Sequence, residues 1–232
     1  MVLIPVLQSW DDGVEDDVRL AELCRRHGAR ACFNLNPGLH EAVRGHGWMY
    51  QGKEVKRLAR GELTDVYAGL EIANHTMTHP DLVSLDPARY EEEIGGARRL
   101  LQDWFQQPVE GFCYPFGRGD AATQRAVERA GHVMARDAAM IKEIAPGPGF
   151  MIIRPHAHFT AGDFWTRFEQ AIAADGYFFF WGHSYEIMDE AGWQRMDDLY
   201  ARLAADPRIA WVTLAEYRRV AVRSSSGTSP EP

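Results

Sequence analysis

The segment VLIPVLQSWDDG, residues 2–13, begins with an apolar run and ends with two adjacent aspartates and a glycine. An apolar run bounded by a turn is typical of a buried strand, which we place at residues 2–9. Two neighbouring carboxylates repel each other, so Asp11 and Asp12 require a positive partner. Because the strand delivers both carboxylates together, we expect a cation or a basic group close to its carboxyl end.

Strand-like and helix-like segments alternate along the rest of the chain. The predicted strands are residues 2–9, 31–35, 70–73, 109–114, 132–135, 151–154, 177–181 and 209–212. The predicted helices are residues 14–27, 54–60, 86–104, 121–130, 163–174, 191–203 and 214–220. The strands are continuously apolar, which is typical of strands buried on both faces of a parallel sheet. The pattern predicts an α/β fold, an incomplete or distorted (β/α) barrel, and no glycine-rich fingerprint supports a Rossmann fold.

Length and charge limit the classes of protein that fit. A chain of 232 residues is typical of one domain, which we place at residues 1–221, and the polar tail at residues 222–232 is predicted to be disordered. The formal net charge is -8, and no basic stripe occurs in the sequence. Nucleic acid is therefore not expected as a partner.

The compartment is predicted from what the sequence lacks. No apolar run is long enough to span a bilayer, and the N-terminal run is too short for a secretory signal and has no basic leader. The cysteines are Cys24, Cys32 and Cys113, an odd number without a tight pairing pattern. We therefore expect a reduced cytoplasmic protein without a membrane partner. The oligomeric state stays open.

Five polar clusters follow the predicted strands. They are DDG at 11–13, NHTMTHPD at 74–81, CYPFG at 113–117, RPHAHF at 154–159 and WGHSYE at 181–186. In parallel (β/α) folds, functional side chains gather at the carboxyl ends of the strands. The five clusters are therefore predicted to converge on one rim.

His75 and His79 form a candidate metal pair. On a helical turn, a spacing of four residues turns both imidazoles to one side, where an ion such as Zn²⁺ can take one nitrogen from each. One aspartate of the first cluster would complete the ligand set and leave the other free beside the ion. Taken singly, a histidine pair or an Asp-Asp-Gly turn is common in proteins without a metal. Their placement after separate strands favours the metal site.

The motifs SWDDG, NHTMTH, YPFG and WGH together resemble those of the NodB-like polysaccharide deacetylases, the fourth family of carbohydrate esterases. The resemblance runs from about residue 2 to residue 220. It implies a distorted (β/α)7 barrel and hydrolysis of the N-acetyl groups of an amino sugar, an oligosaccharide or a polysaccharide. It also implies that Asp12, His75 and His79 hold one divalent ion, Zn²⁺ in the first place and Co²⁺ or Ni²⁺ as alternatives.

The resemblance further implies a role for each remaining motif residue. Asp11 would be the general base that deprotonates a metal-bound water, and His183 the general acid that protonates the departing amine. A backbone N–H near Tyr114 would stabilise the oxyanion. Tyr114, Pro115 and Trp181 are the candidate substrate-binding residues.

The sequence departs from the family pattern in two motifs. Cys113 stands where many members carry an arginine that pairs with the base, and Arg154 is a candidate replacement. The aspartate that tunes the catalytic histidine is not recognisable, and Asp137 is either that residue or a solvated loop residue. His156 and His158 either line the site or have packing roles.

Two other functions fit the same residues. An allantoinase-like enzyme would open a cyclic amide or ureide on the same fold. A catalytically silent sugar-binding module would bind a ligand without turnover, although the presence of both Asp11 and His183 argues against it. Release of acetate from N-acetylglucosamine oligomers would favour the deacetylase, and ring opening of allantoin would favour the second function.

Overall fold

The computed structural model describes residues 3–138, 153–174 and 176–219. The strands within these ranges are β1 (Ile4–Asp11), β2 (Cys32–Leu35), β3 (Gly45–Tyr50), β4 (Lys53–Arg57), β5 (Glu71–Asn74), β6 (Gly111–Cys113), β7 (Met134–Arg136), β8 (Ala157–His158), β9 (Phe178–Gly182) and β10 (Ile209–Trp211). The α-helices are α1 (Asp17–Arg26), α2 (Leu63–Val66), α3 (Ala97–Phe105), α4 (Ala121–Arg129), α5 (Phe164–Ala174) and α6 (Glu190–Ala204). Residues 214–219 are also helical. The tail predicted to be disordered, 222–232, and residues 151–152 of a predicted strand lie outside the described ranges.

One parallel sheet carries the fold. Its strand order is β7-β6-β5-β2-β1-β9-β8, and β10 pairs with the beginning of β1. The sheet curls into a half-barrel with helices against it, so the predicted distorted (β/α)7 barrel is confirmed. β1 is central because β2 and β9 flank it, and it is fully buried from Val6 to Asp11.

Aromatic side chains fill the space between β9 and α5. Phe178 and Phe180 on β9 contact Phe164 of α5 with ring centroids 5.2 Å and 5.4 Å apart, and Phe168 lies 5.2 Å from Phe178. All four rings are buried. Edge contacts of this kind add to the free energy that burial itself contributes. This packing fixes β9, and with it the loop that follows the strand.

The segment predicted as a helix from residue 86 is helical but not uniform. Asp86 caps its start, where the carboxylate accepts a hydrogen bond from the Ala88 backbone N–H at 2.9 Å. A 3₁₀ turn is followed by a π-helical stretch at Glu91–Gly96 and then by α3. The π-helical stretch contains the buried Glu93, whose carboxylate accepts hydrogen bonds from the backbone N–H and the hydroxyl of Thr78.

The helix predicted at residues 54–60 is wrong. Lys53–Arg57 is instead a strand, paired antiparallel with Gly45–Tyr50 in a hairpin inserted between β2 and β5. The turn residues Gln51 and Gly52 both have positive φ, 45° and 86°, as a tight hairpin turn requires. The charged sequence KEVKR suits either a helix or a strand, so only the turn residues Gln51 and Gly52 indicated a hairpin.

No helix in the described part of the chain is both long enough and apolar enough to cross a membrane.

Candidate active site

One cavity of about 400 Å³ lies at the carboxyl ends of the parallel strands. All the predicted site residues except Pro115 line it, namely Asp11, Asp12, His75, His79, Tyr114, Trp181 and His183. Its volume falls within the range of about 300–1,000 Å³ that is usual for small-ligand sites. The predicted convergence therefore holds for four of the five polar clusters, those at 11–13, 74–81, 113–117 and 181–186. Within the described part of the chain, no residue of the cluster at 154–159 lines this cavity.

Asp12, His75 and His79 form a candidate metal centre. Each offers one ligand atom, and these atoms lie within 4.8 Å of one another. The Nδ1 atom of His75 donates to the Cys113 carbonyl oxygen at 2.8 Å, because a carbonyl can only accept. The lone pair of a neutral His75 is therefore on Nε2. Burial lowers the pKa of His75 to about 4 and also lowers that of His79, so both are neutral near pH 7, as metal ligation requires.

The loop that carries the histidines is held in an unusual conformation. Thr76 and His79 have positive φ values of 71° and 60°, which side chains with a Cβ rarely adopt. The His79 N–H donates to Thr76 Oγ1 at 3.0 Å, and the Asn36 amide donates to the His75 carbonyl. Two imidazole nitrogens and one carboxylate oxygen, fixed in this way, fit a zinc-type ion.

The hairpin supplies a residue that sequence reasoning missed. Arg57, at the end of β4, is buried; one guanidinium nitrogen donates to the Asp12 carbonyl oxygen and the other lies 3.5 Å from Asp12 Oδ1. Asp12 itself has a φ of 85°. The Leu58 N–H donates to the Gly13 carbonyl at 3.0 Å, so the hairpin holds the Asp-Asp-Gly turn at two points.

Asp11 is paired with an arginine, but not with the one predicted. Arg136, the last residue of β7, donates to its carboxylate, and Asn34 Nδ2 donates at 2.6 Å. Burial by itself would raise the pKa of Asp11, but the charge of Arg136, together with His75, His183 and the hydrogen bond from Asn34, outweighs burial and holds that pKa below its ordinary value. Arg154 instead lies 3.0 Å from Asp137. The position of Arg136 in the sequence could have indicated this role, because it directly follows the predicted strand 132–135.

Cys113 occupies the space beside this ion pair. Its sulfur lies 2.7 Å from Arg136 Nη2 and 3.7 Å from Asp11 Oδ1. The Trp181 ring covers the guanidinium of Arg136 at 4.6 Å, which shields the pair from solvent. The arginine expected at position 113 is thus replaced by one from the neighbouring strand, because β6 and β7 pair Cys113 with Arg136.

His183 lines the same cavity as the candidate metal centre and has acidic neighbours. Its Nε2 lies 3.8 Å from Asp11 Oδ2, and its Nδ1 lies 3.4 Å from Glu186 Oε2. Burial opposes protonation of His183, but the negative charges of Glu186, Asp11 and Asp12 together outweigh burial and raise its pKa. The carboxylate beside His183 is therefore that of Glu186, whereas Asp137 is buried rather than solvated and is paired with Arg154. A carboxylate three residues after the histidine was the signal that sequence reasoning overlooked.

Three further expectations can be compared with the structure. The N–H of Tyr114 itself is bonded to the Arg136 carbonyl at 3.0 Å, so an oxyanion donor near Tyr114 would be a different backbone N–H. Pro115 is buried and does not line the cavity, whereas the neighbouring Phe116 does and is 55% exposed. His156 has a packing role, because its Nδ1 accepts the Phe179 N–H at 3.0 Å within the sheet.

Comparison with known proteins identifies the family of this chain. The family model described as polysaccharide deacetylase matches residues 4–135, more than half of the chain, and the chain belongs to the polysaccharide deacetylase family. Among curated proteins, it is 27% identical over 130 residues to YxkH of Bacillus subtilis (strain 168), a predicted polysaccharide deacetylase. That match covers 56% of this chain and 43% of the relative, so the chain spans less than half of the relative's length.

Solved structures share the fold over most of the chain. A predicted polysaccharide deacetylase from Mycobacterium smegmatis has a TM-score of 0.68 at 14% identity, over 98% of this chain and 94% of that one. A family 4 carbohydrate esterase from Streptomyces lividans, in complex with acetate, has a TM-score of 0.55 at 17% identity, over 87% and 90% of the two chains. At these identities the likeness concerns the fold alone.

Proposed function

We propose that this protein is a metal-dependent N-deacetylase that hydrolyses the N-acetyl groups of an amino sugar or its oligomers. The observation that carries the proposal is the arrangement of side chains in the cavity. An ionised Asp11 and the imidazole of His183 face each other beside the Asp12–His75–His79 set. A base, an acid and a cation-binding set around one volume are what hydrolysis of an unactivated amide requires.

Asp11 is the proposed general base. Because Arg136 and Asn34 stabilise its negative charge, Asp11 is ionised throughout the neutral range and can accept a proton from an attacking water. When bound to Asp12 and the two histidines, a divalent ion would polarise the acyl carbonyl and acidify that water. Asp11 and Asp12 are assigned different roles because Arg136 pairs with the Asp11 carboxylate, whereas the Asp12 carboxylate lies near both His75 and His79.

His183 is the proposed general acid. An amide nitrogen is a poor leaving group unless it gains a proton as the carbon–nitrogen bond breaks. Glu186 favours the protonated form of His183 and lies 3.4 Å from its Nδ1, which leaves Nε2 on the cavity side near Asp11. A proton on Nε2 is therefore available to the departing amine.

The substrate class follows from the cavity and from the relatives. The exposed ring of Phe116, which lies 4.7 Å from the His79 ring, and the partly buried Trp181 offer apolar faces on which a sugar can stack. Acetate, the expected product, is bound by the structurally similar esterase from Streptomyces lividans. Both observations support an acetylated sugar over a cyclic ureide.

The test is acetate release from N-acetylglucosamine oligomers by protein loaded with Zn²⁺, Co²⁺ or Ni²⁺. Asp11→Asn should keep the metal and lose hydrolysis, whereas Asp12→Ala and His79→Ala should lose the metal. Asp163→Asn, on an exposed aspartate, is the matched control and should change neither. Absence of acetate with every metal, together with ring opening of allantoin, would replace the proposal by the cyclic-amide alternative. Stoichiometric sugar binding without any turnover would favour the silent module.

A cytoplasmic location is part of the proposal. It is supported by Cys24, Cys32 and Cys113, all of which are free and buried, since reduced thiols are usual there. Cell fractionation with an antibody against the protein tests it.

A further inference from the structure

A second group of metal-type side chains lies on the far side of His183. His158 at the end of β8, His183 after β9 and Glu186 in the following turn each offer a ligand atom, and these atoms lie within 4.8 Å of one another. The Nε2 of His158 is 2.9 Å from Glu186 Oε2, and the Nδ1 of His183 is 3.4 Å from the same oxygen. We refer to these three residues as the outer cluster.

The spacing of the outer cluster suits a zinc-type ion. Metal–ligand bonds of about 2.0–2.1 Å in a tetrahedron separate neighbouring ligand atoms by about 3.3 Å. The two measured separations lie on either side of this value. The side chains are 17–23% exposed, so solvent can reach a fourth position on the ion. Two imidazoles and one carboxylate are also the donor types that zinc accepts.

Two further observations support a ligand at this position. The His158 ring is oriented from behind, because its Nδ1 lies 2.7 Å from Thr160 Oγ1, the kind of support that metal-binding histidines usually have. The Nδ1 of His183 is buried, and its contact with Glu186 lacks hydrogen-bond geometry. Within the described residues this nitrogen has no hydrogen-bond partner, yet it points into the cluster.

The outer cluster is separate from the first candidate centre. The Nε2 of His183 faces Asp11 at 3.8 Å, on the side of Asp12, His75 and His79, whereas Nδ1 faces Glu186. His183 thus presents one ring nitrogen to each side.

We propose that His158, His183 and Glu186 form a second, weaker site for a divalent cation of the zinc type, and that occupancy of this site inhibits the enzyme. A cation that binds Nδ1 displaces the proton of that nitrogen to solvent, because a histidine that ligates a metal must be neutral. The ring keeps its proton on Nε2 but loses the positive charge that makes it a competent acid. The inhibition rests on the proposed function of His183, whereas the binding of the cation does not.

The binding test titrates metal-free protein with Zn²⁺ by calorimetry and counts bound ions by elemental analysis. We expect two equivalents for the natural protein and one for His158→Gln, with the tighter site unchanged. His46→Gln is the matched control, because His46 is an exposed histidine 3.6 Å from the Glu41 carboxylate and should keep both equivalents. One equivalent in both the natural protein and His158→Gln would overturn the proposal.

A second variant leaves all three proposed ligands in place, so that a misfolded protein is not mistaken for the loss of a ligand. Thr160→Val keeps His158 but removes the hydroxyl that orients it, so it should weaken the second site by about 10-fold or more without removing it. Circular dichroism checks that each variant is folded. An unchanged second affinity in this variant, combined with unchanged stoichiometry in His158→Gln, would contradict the assignment of the ligands.

The kinetic test measures acetate release against free Zn²⁺. The rate of the natural protein should rise with the first equivalent and fall with the second, and His158→Gln should require at least about 10-fold more zinc for half inhibition. Activity with a single bound equivalent and no inhibition would overturn the inhibitory site and leave the proposed function intact. Two bound equivalents, one lost in His158→Gln, without activity at any zinc concentration would overturn the proposed function and leave the second site.

Discussion

Arg136 donates a hydrogen bond to the Asp11 carboxylate, and both side chains are buried among Cys113, Trp181 and Asn34. The pair joins β7 to β1 across three intervening strands, β6, β5 and β2. A buried ion pair is stable because each charge compensates the other, and removal of one partner leaves an uncompensated charge.

We therefore expect Arg136→Met to lower both the stability and the activity of the protein. The free energy of unfolding should fall by about 3–5 kcal/mol, as for other buried pairs that lose one partner. The pKa of Asp11 should rise, since burial then acts without Arg136, and acetate release at pH 7 should be lost. Denaturant unfolding and a pH–rate profile measure the two effects. Arg99→Met is the control: its pair with Glu91 is exposed, so a change within about 1 kcal/mol is expected.

Arg57 is expected to set the affinity of the first metal site. It holds both the carbonyl and the carboxylate of Asp12, whose φ of 85° is strained for a residue with a Cβ. Arg57→Gln should weaken zinc binding by about 10–100-fold, the usual effect of losing a residue that supports a ligand. Competition with a chelator measures the affinity. Lys56→Gln, on the exposed side of the same strand, should leave it unchanged; an equal loss in both variants would point to the hairpin as a whole.

Glu186 is expected to control the alkaline side of the pH–rate profile. The general acid His183 works only when protonated, and Glu186 helps to raise the pKa of His183 above its ordinary value. In Glu186→Gln, the decline in rate at high pH should therefore move to lower pH, with a loss of up to about 100-fold at pH 8. The measurement is acetate release from pH 5 to about pH 9. Glu190→Gln, on an exposed glutamate, should superimpose on the natural profile. An unshifted profile in Glu186→Gln would remove Glu186 from this role.

The raised pKa of the buried Asp17 predicts that the stability of the fold depends on pH. Burial raises its pKa from 3.8 to about 7, although Ser184 and Tyr67 donate hydrogen bonds to it. The folded state then binds a proton that the unfolded state releases, so this contribution is present below about pH 4 and is lost as the pH rises to about 7. Asp17→Asn, which stays neutral, should become more stable relative to the natural protein between pH 5 and about pH 8. Melting temperatures at several pH values check this, and a constant difference would contradict it.

The elements that the sequence predicted correctly are those with strong local patterns. The continuously apolar segments of β1 and β9 became buried strands of the sheet, and the sequence after Asp120 became the helix α4, with the Asp120 carboxylate capping its start. The hairpin at 45–57 was missed because a short charged strand and a short helix share the same composition. Its only local signal was the turn at Gln51 and Gly52.

The sequence by itself determined which residues would meet at the rim, because the order of the strands in the chain and the polar motifs after them are local features. Only the tertiary structure decided the long-range partners of the two aspartates: Arg136 rather than Arg154 for Asp11, and Arg57 for Asp12. These pairings depend on strand register and on the angle at which each loop leaves the sheet. Such long-range geometry is set by the packing of the whole barrel, so no short segment of sequence encodes it.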